Sequence, residues 1–482
     1  MRFSTVCRIL GILLMIFSFT MLPPIAVSIY YDDHQFFAFF DAFLLTLAVG
    51  IAIWFPVRNK KKELRVRDGF IVTALFWLVL SLSGSIPLYF SDQPDLRFVD
   101  AYFESLSGLT TTGATVITGL DTLPKSILWY RQQLQWFGGM GLIVLAVAIL
   151  PMLGIGGMQL YRTEIPGPVK DTKLTPRITE TAKALWYIYL GLTVACALAY
   201  WIAGMSLFDA ICHSFSTIAI GGFSTHDTSI GYFDSVAVEM IAVFFMFAAG
   251  VNFALHFAAW RRNSWRTYFQ DPEFKFYGSL MLLVACGTIG VLYFTGTYGF
   301  AESFTTGLFQ VVTIATTTGY ATADFSSWPF VLPFLLFLIA FVGGCAGSTG
   351  GGMKAIRVLL IYKQGLREVK RLIHPNAVIP IKVGKKPVPD RVIEAVWGFF
   401  SVYLFVFVVL LLLVLATGLD QVTAWSAVGA TMNNLGPGLG DVSAHYGNIP
   451  DTAKWVLCFA MLMGRLEIFT LLILFTPSFW RS

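Results

Sequence analysis

Charge is scarce in this chain. Asp, Glu, Lys and Arg supply 13% of its 482 residues, about half the share found in an average soluble domain. That excludes a water-soluble enzyme built around one apolar core. Cysteine is scarce too: Cys7, Cys196, Cys212, Cys286, Cys345 and Cys458 are scattered through apolar segments. Their spacing suits no metal, so buried free thiols are expected rather than a disulfide framework. Six dispersed histidines argue against a metal centre. The chain has neither a dinucleotide fingerprint nor a phosphate-binding loop. Without a His/Glu metal motif or a nucleophile–base set, an intramembrane enzyme has no support. A net charge of +5 is modest and calls for no nucleic acid.

Apolar residues are abundant. Hydrophobic residues make up 56% of the chain and aromatics 16%, most of them phenylalanine. A helix needs about 20 apolar residues to cross a bilayer, and ten stretches qualify, near 9–30, 36–56, 69–90, 127–150, 182–204, 232–258, 276–296, 329–350, 392–418 and 453–476. The first is too long for a signal peptide and another span follows at once, so it reads as a retained helix. Four further segments, near 99–112, 208–221, 303–318 and 422–434, are too short and polar to span. Each suits a half-helix that enters the membrane and returns. The expected fold is an all-α polytopic membrane protein with ten transmembrane helices, four re-entrant pore half-helices and a pseudo-fourfold arrangement.

Basic residues cluster on one side. Arg58, Lys60, Lys61, Lys62, Arg65 and Arg67 follow the second span. Later loops on that side hold Arg162, Lys170, Lys173 and Arg177, then Arg261, Arg262 and Arg266, then Lys363, Arg367, Lys370, Arg371, Lys385 and Lys386. The opposite loops carry Asp32, Asp33, Asp92, Asp95, Asp121, Asp227, Asp324, Asp441 and Asp451. Positive loops stay inside, so both termini are expected in the cytoplasm and the half-helices enter from outside. Basic segments near 162–177 and 354–386 also suit contact with anionic lipid.

The half-helices repeat. Asp100 to Gly113 aligns without a gap on Asp209 to Gly222, pairing Ser105 with Ser214 and Ser107 with Ser216. A fourth copy keeps Ala424 and Gly436 at the same separation, and a third keeps Gly319 with Thr313 in place of the second serine. Gly139, Gly250, Gly344 and Gly464 recur in the spans that follow. Packing of small residues is the alternative source of such similarity, but the ungapped match and common sidedness favour four repeats. The implied divisions are 1–67 for two N-terminal helices, then 68–160, 161–270, 271–375 and 376–482 for the four units.

Each half-helix runs into a short glycine-bearing loop: Thr110-Thr111-Thr112-Gly113, Ala219-Ile220-Gly221-Gly222, Thr316-Thr317-Thr318-Gly319 and Asn433-Asn434-Leu435-Gly436. Irregular backbone at membrane depth is tolerated only where it lines a cavity or is buried in protein. The carbonyl end of a helix carries about half a negative charge, so four such ends favour a cation. A ring of carbonyls replaces the hydration shell of a bare ion. No carboxylate occurs in these runs, where calcium or magnesium would ordinarily demand one, so a monovalent ion is expected.

These residues carry a resemblance. The whole chain is similar to the Trk/Ktr/HKT superfamily of potassium transport proteins, and most closely to its Trk-type pore subunits. Thr-Thr-Gly-Ala at 111–114, Ile-Gly-Gly-Phe at 220–223, Thr-Thr-Gly-Tyr at 317–320 and Asn-Leu-Gly-Pro at 434–437 carry it. The third echoes the Thr-Val-Gly-Tyr-Gly filter of potassium channels, departing from it at the valine and the last glycine. The two spans before Arg58 match Trk rather than Ktr members. The resemblance implies a potassium filter made by Thr111, Thr112, Gly113, Ile220, Gly221, Gly222, Thr317, Thr318, Gly319, Asn434, Leu435 and Gly436. A glycine in every loop goes with potassium selectivity in that superfamily, and a serine in the first loop with sodium. Potassium is then the transported ligand, and no cofactor is expected in this chain. The resemblance also implies a homodimer in the bacterial inner membrane and a cytosolic nucleotide-binding regulatory ring, TrkA.

The eighth span ends in Gly343-Gly344-Cys345-Ala346-Gly347-Ser348-Thr349-Gly350-Gly351-Gly352. A run so rich in glycine is a poor helix, although small residues also serve helix contacts. The related proteins have an intramembrane gate loop at this place, so Gly343, Gly344, Gly347, Ser348, Thr349, Gly350, Gly351 and Gly352 are candidate gate residues. Arg465 joins them, because an arginine within a span is costly unless it faces a partner or a wet cavity. It either faces the pore or pairs with an acid such as Glu467. Asn252 is a candidate polar cavity residue, whereas Glu239 and Arg131 are expected to snorkel towards the outer surface.

Two functional readings remain. One is a gated, channel-like potassium permeation protein. The other is a secondary transporter (a symport) coupling potassium to protons or sodium, a class that also uses broken helices. The chain shows no obvious intramembrane carboxylate relay, which weakens proton coupling.

Overall fold

A computed structural model describes residues 3–60, 66–144 and 178–481. The expected basic residues Lys61, Lys62, Arg65, Arg162, Lys170, Lys173 and Arg177, and the end of the 127–150 span, lie outside the described residues.

Among the described residues the architecture is helical apart from a short hairpin pairing Lys382–Val383 with Lys386–Pro387. Helix α1 (Phe3–Ser18) passes through a 3-10 turn into α2 (Leu22–Tyr31). The turn tightens there because Pro23 and Pro24 have no N–H to give to the carbonyls before them. Then come α3 (Phe36–Trp54), α4 (Val66–Phe90), the half-helix α5 (Phe98–Leu109) and α6 (Lys125–Val144). The second unit holds α7 (Ile178–Ile202), the half-helix α8 (Leu207–Ala219), α9 (Val236–Ala249) and α10 (Phe253–Arg262). The third holds α11 (Pro272–Phe294), the half-helix α12 (Phe300–Ala315), α13 (Leu332–Ile339) and α14 (Ala355–Ile373). The fourth holds α15 (Asp390–Leu415), the half-helix α16 (Gln421–Met432) and α17 (Asp451–Arg465), with a short turn of helix at Phe469–Leu472.

Among the described residues, six helices are long and apolar enough to cross a membrane, or eight if each of two bent pairs counts as one span. Their outer faces are bare and greasy: Leu282, Leu283, Phe405 and Leu412 are all exposed. Apolar surface on that scale requires an apolar surrounding. Two of the half-helices are the opposite. Every residue of α5 from Asp100 to Leu109 is buried, and so is α16 from Thr423 onward except Trp425.

Three of the expected spans are broken, one of them at the glycine run that predicts it. The 232–258 stretch bends by 93° between α9 and α10. There Asn252 is not simply a cavity residue. Its Oδ1 accepts from Ala254 N–H at 2.8 Å and caps α10, the usual task of an asparagine before a helix. The backbone groups freed by the bend are taken up by the glycine-rich segment: Cys345 N–H donates to Gly250 O at 2.8 Å, and Phe253 N–H to Gly347 O at 3.1 Å. The 329–350 stretch is helical only over α13 and then unwinds through its glycines. The 453–476 stretch bends by 110° after Arg465, where Glu467 and Ile468 take positive φ values of 52° and 56°. The described part of the stretch beginning at 127 forms α6, which carries Arg131, Gln132, Gln133 and Gln135, and its apolar end at 145–150 lies outside the described residues. Cys196, Cys212, Cys345 and Cys458 are buried thiols as expected, but Cys286 is exposed on α11.

Candidate cation site

The four half-helices end in the same backbone conformation. Thr111, Ile220, Thr317 and Asn434 have φ of 52°, 55°, 68° and 53°. Two residues later Gly113, Gly222, Gly319 and Gly436 have φ of 81°, 79°, 85° and 94°. Between them, the N–H groups of Thr112, Gly221, Thr318 and Leu435 reach back to the carbonyls of Ser107, Ser216, Thr313 and Ala430 at 2.9, 2.9, 2.8 and 2.8 Å. This is the left-handed C-cap that closes many helices, but in three of the four units a β-branched residue occupies the strained position. Non-glycine residues held there cost of order 1–3 kcal/mol each. The register that the aligned serines and glycines predict is thus the register of the backbone.

The units also close on one another. A Cβ placed on Gly113 would collide with the carbonyl oxygen of Gly221. One on Gly222 would collide with that of Thr318, one on Gly319 with that of Leu435, and one on Gly436 would crowd that of Thr112. Each glycine therefore packs on the carbonyl that precedes the glycine of the next unit, in the cyclic order first, second, third, fourth, first. All twelve residues expected of the filter come together in this ring.

Side chains brace it from behind. Gln135 Nε2 donates to Gly221 O at 2.6 Å while its Oε1 accepts from Phe223 N–H at 3.1 Å. Asn434 Nδ2 donates to Thr112 Oγ1 at 2.9 Å, tying the fourth unit to the first. Tyr446 donates its hydroxyl to Gly436 O at 2.6 Å. Gln135 and Tyr446 are absent from the sequence-derived set. The polar run Arg131-Gln132-Gln133-Gln135 inside an otherwise apolar stretch was the signal for the first; nothing local marks the second.

On one side of the ring opens a cavity of about 460 Å³, lined by the four glycines together with Arg131, His226 and Tyr320. His226 Nδ1 sits 2.5 Å from Asp121 Oδ1, and its Nε2 lies 3.5 Å from Asp209 Oδ1. Burial alone would lower the imidazole pKa, but the two carboxylates outweigh it and raise the value above the ordinary one. The ring stacks on Tyr232 at 3.5 Å.

The glycine-rich segment touches the half-helix ends directly. Thr349 Oγ1 donates to Ile218 O at 2.9 Å in the second unit. Gly351 N–H donates to Thr317 Oγ1 at 2.7 Å in the third, and Gly352 N–H to Asn433 O at 3.1 Å in the fourth. Gly343, Gly347 and Gly352 have φ of 68°, 77° and 74°, angles that glycine reaches without strain. Lys354 bends back to donate to Gly350 O. Arg465, 4% exposed, donates from Nη1 to Thr349 O at 3.2 Å and from Nη2 to Gly138 O at 2.9 Å. It does not pair with Glu467, which bonds Arg357 instead. Gly344 and Ser348 lie in the same segment, with Ala355 N–H donating to Gly344 O at 3.0 Å and Ser348 Oγ to Cys345 O at 2.7 Å.

Several buried carboxylates went unread in the sequence, Glu104 and Glu273 among them. Glu104 is 0% exposed and Glu273 3%. Arg131, expected to snorkel, is instead 1% exposed and paired with Glu104 at 2.8 Å. A cation that finds a carboxylate and carbonyls inside the protein has no need to reach the surface.

Residues 35–482 match the family TrkH, described as a cation transport protein. The chain is 61% identical to the Trk system potassium uptake protein TrkH of Halomonas elongata, over all of both chains. It is 43% identical to the Trk system potassium uptake protein TrkG of Escherichia coli, covering 99% of this chain and 98% of that one. Among solved structures, the crystal structure of the potassium transporter TrkH from Vibrio parahaemolyticus superposes with a TM-score of 0.92, at 56% identity over the whole of both chains.

Proposed function

Because the chain belongs to the TrkH family of cation transport proteins, we propose that it takes up potassium through a gated, channel-like filter of backbone carbonyls. The observation that carries this reading is the closed ring, in which each filter glycine packs on a carbonyl of the next unit. Four half-helix C-termini aimed at one ring stabilise a cation there, and carbonyls in place of water select a dehydrated monovalent ion. The filter comprises Thr111, Thr112, Gly113, Ile220, Gly221, Gly222, Thr317, Thr318, Gly319, Asn434, Leu435 and Gly436.

Beneath it the segment from Gly343 to Gly352 acts as the gate, held closed by Arg465. Its contacts with the second, third and fourth half-helix ends support that role. The division into 1–67, 68–160, 161–270, 271–375 and 376–482, the ten crossings and the cytoplasmic termini in a bacterial inner membrane belong to the same reading. So do a homodimer and a cytosolic nucleotide-binding ring.

The test is ion flux into liposomes holding the purified protein, comparing potassium, rubidium and sodium gradients, with Gly113→Ser alongside. Potassium flux along its own gradient, with weaker discrimination against sodium in the variant, supports the filter. The two bent spans also suit a coupled transporter. Flux that requires a proton or sodium gradient would move the conclusion to that reading.

A further inference from the structure

The ring is fourfold in backbone but not in the side chains that stiffen it. Glu104 stands nine residues before Gly113, and the matching positions are His213, Gln310 and Ala427. Each of the first three reaches the strand that leaves its own filter glycine. Glu104 accepts from Thr115 Oγ1 at 2.9 and 3.0 Å and from Val116 N–H at 2.9 Å. His213 Nε2 meets Ser224 Oγ at 2.9 Å, and Gln310 Nε2 donates to Ala323 O at 2.9 Å. Of the four, the first is a carboxylate, and it is answered by an arginine from α6.

Arg131 does more than neutralise that charge. Its Nε donates to Glu104 at 2.8 Å, its Nη2 to Thr115 Oγ1 at 3.1 Å and its Nη1 to Ser224 O at 3.1 Å. The guanidinium also lies 4.4 Å from the centre of the Phe223 ring. One rigid plane therefore holds the residues just past Gly113 and those just past Gly222. Thr115 passes the constraint on, since its carbonyl accepts from Tyr446 N–H at 2.7 Å, and Tyr446 holds Gly436. Desolvating both ions offsets much of their attraction, so such a pair adds little net stability over an apolar pair. What it supplies is fixed geometry.

We propose that Arg131 is a selectivity-positioning residue. Held by Glu104, it sets the spacing between the first and second filter strands and so the preference for potassium over sodium. The inference rests on the filter reading above. Lysine keeps the charge but is a point donor that cannot hold three partners in one plane.

The experiment compares the potassium-to-sodium flux ratio in liposomes for the intact protein, Arg131→Lys, the neutral double variant Glu104→Gln/Arg131→Gln, and Gly113→Ser. Thermal stability is read alongside. We expect Arg131→Lys to fold and conduct potassium with its flux ratio lowered about tenfold, the scale of one lost charge-assisted hydrogen bond. The double variant is expected to fall in the same direction. An unchanged ratio in Arg131→Lys beside a lowered one in Gly113→Ser overturns the proposal and leaves the filter standing. An unchanged ratio in both overturns the filter reading and the proposal together. If Arg131→Lys does not fold, the double variant decides: an intact ratio there overturns the proposal.

Discussion

The carboxylate of Glu273 and the backbone of Ala346 meet across the base of the glycine-rich segment, Glu273 Oε1 accepting from Ala346 N–H at 2.7 Å. The same oxygen accepts from Ile356 N–H at 3.2 Å. One side chain at the start of α11 thus ties both ends of the segment that bears Thr349 and Gly351.

Removing that tie leaves two buried N–H groups unpaired, at about 1–3 kcal/mol each. Glu273→Ala is expected to melt several degrees lower and to pass potassium without its normal control. Glu273→Gln, whose amide oxygen accepts both bonds, retains most of the stability. Thermal melts in detergent and liposome flux check this, and equal melting of Ala and intact proteins would count against it.

Gly222→Ala puts a methyl group into the carbonyl of Thr318 at a φ of 79°, a conformation that costs of order 1–3 kcal/mol by itself. Potassium flux is expected to fall by about tenfold or more, since 1.4 kcal/mol is a factor of ten. Gly287→Ala is the control. Its Cβ meets open space, so flux stays at the level of the intact protein.

Arg465 places a buried cation next to Thr349 and Gly138. Arg465→Met removes both donors and the positive charge. Potassium flux is expected to rise about tenfold for a barrier lowered by about 1.4 kcal/mol. Single-channel recording would separate a longer open time from a larger conductance, and unchanged flux would show that Arg465 is only a strut.

His226 gives stability a pH dependence of known sign. Its pKa in the folded protein is raised above the ordinary value by Asp209 and Asp121, burial opposing them. Its contribution is therefore complete below the ordinary histidine value of about 6.5 and is lost as pH rises through the folded value. The melting temperature of the intact protein should fall across that window, and His226→Gln should flatten the fall. A variant with the same slope would assign the pH dependence to other groups.

Much of this molecule was legible before folding was considered. The glycines at 113, 222, 319 and 436 marked a backbone register that the φ values repeat, because only a glycine can lie against a neighbouring carbonyl at that angle. The glycine run at 343–352 marked a broken helix for a related reason: glycine resists helix formation. Other elements were not legible. The breaks after Ala249 and Arg465 follow no proline, and each lies inside a stretch that reads as a single span. The first stands because partners elsewhere in the chain satisfy the freed backbone groups, the Cys345 N–H donating to Gly250 O.

Composition and periodicity alone determined that this chain lives in lipid, that it repeats, and where its glycine-bearing loops fall, since these follow from local hydropathy and local conformational preference. Which charges would be buried was decided only in three dimensions. Arg131 looked like a residue near an interface until α5 brought Glu104 to it, and Arg465 had Glu467 as its candidate partner until Thr349 and Gly138 closed around it. A buried ion is stable only when separate segments converge to solvate it, and no stretch of sequence carries that convergence by itself.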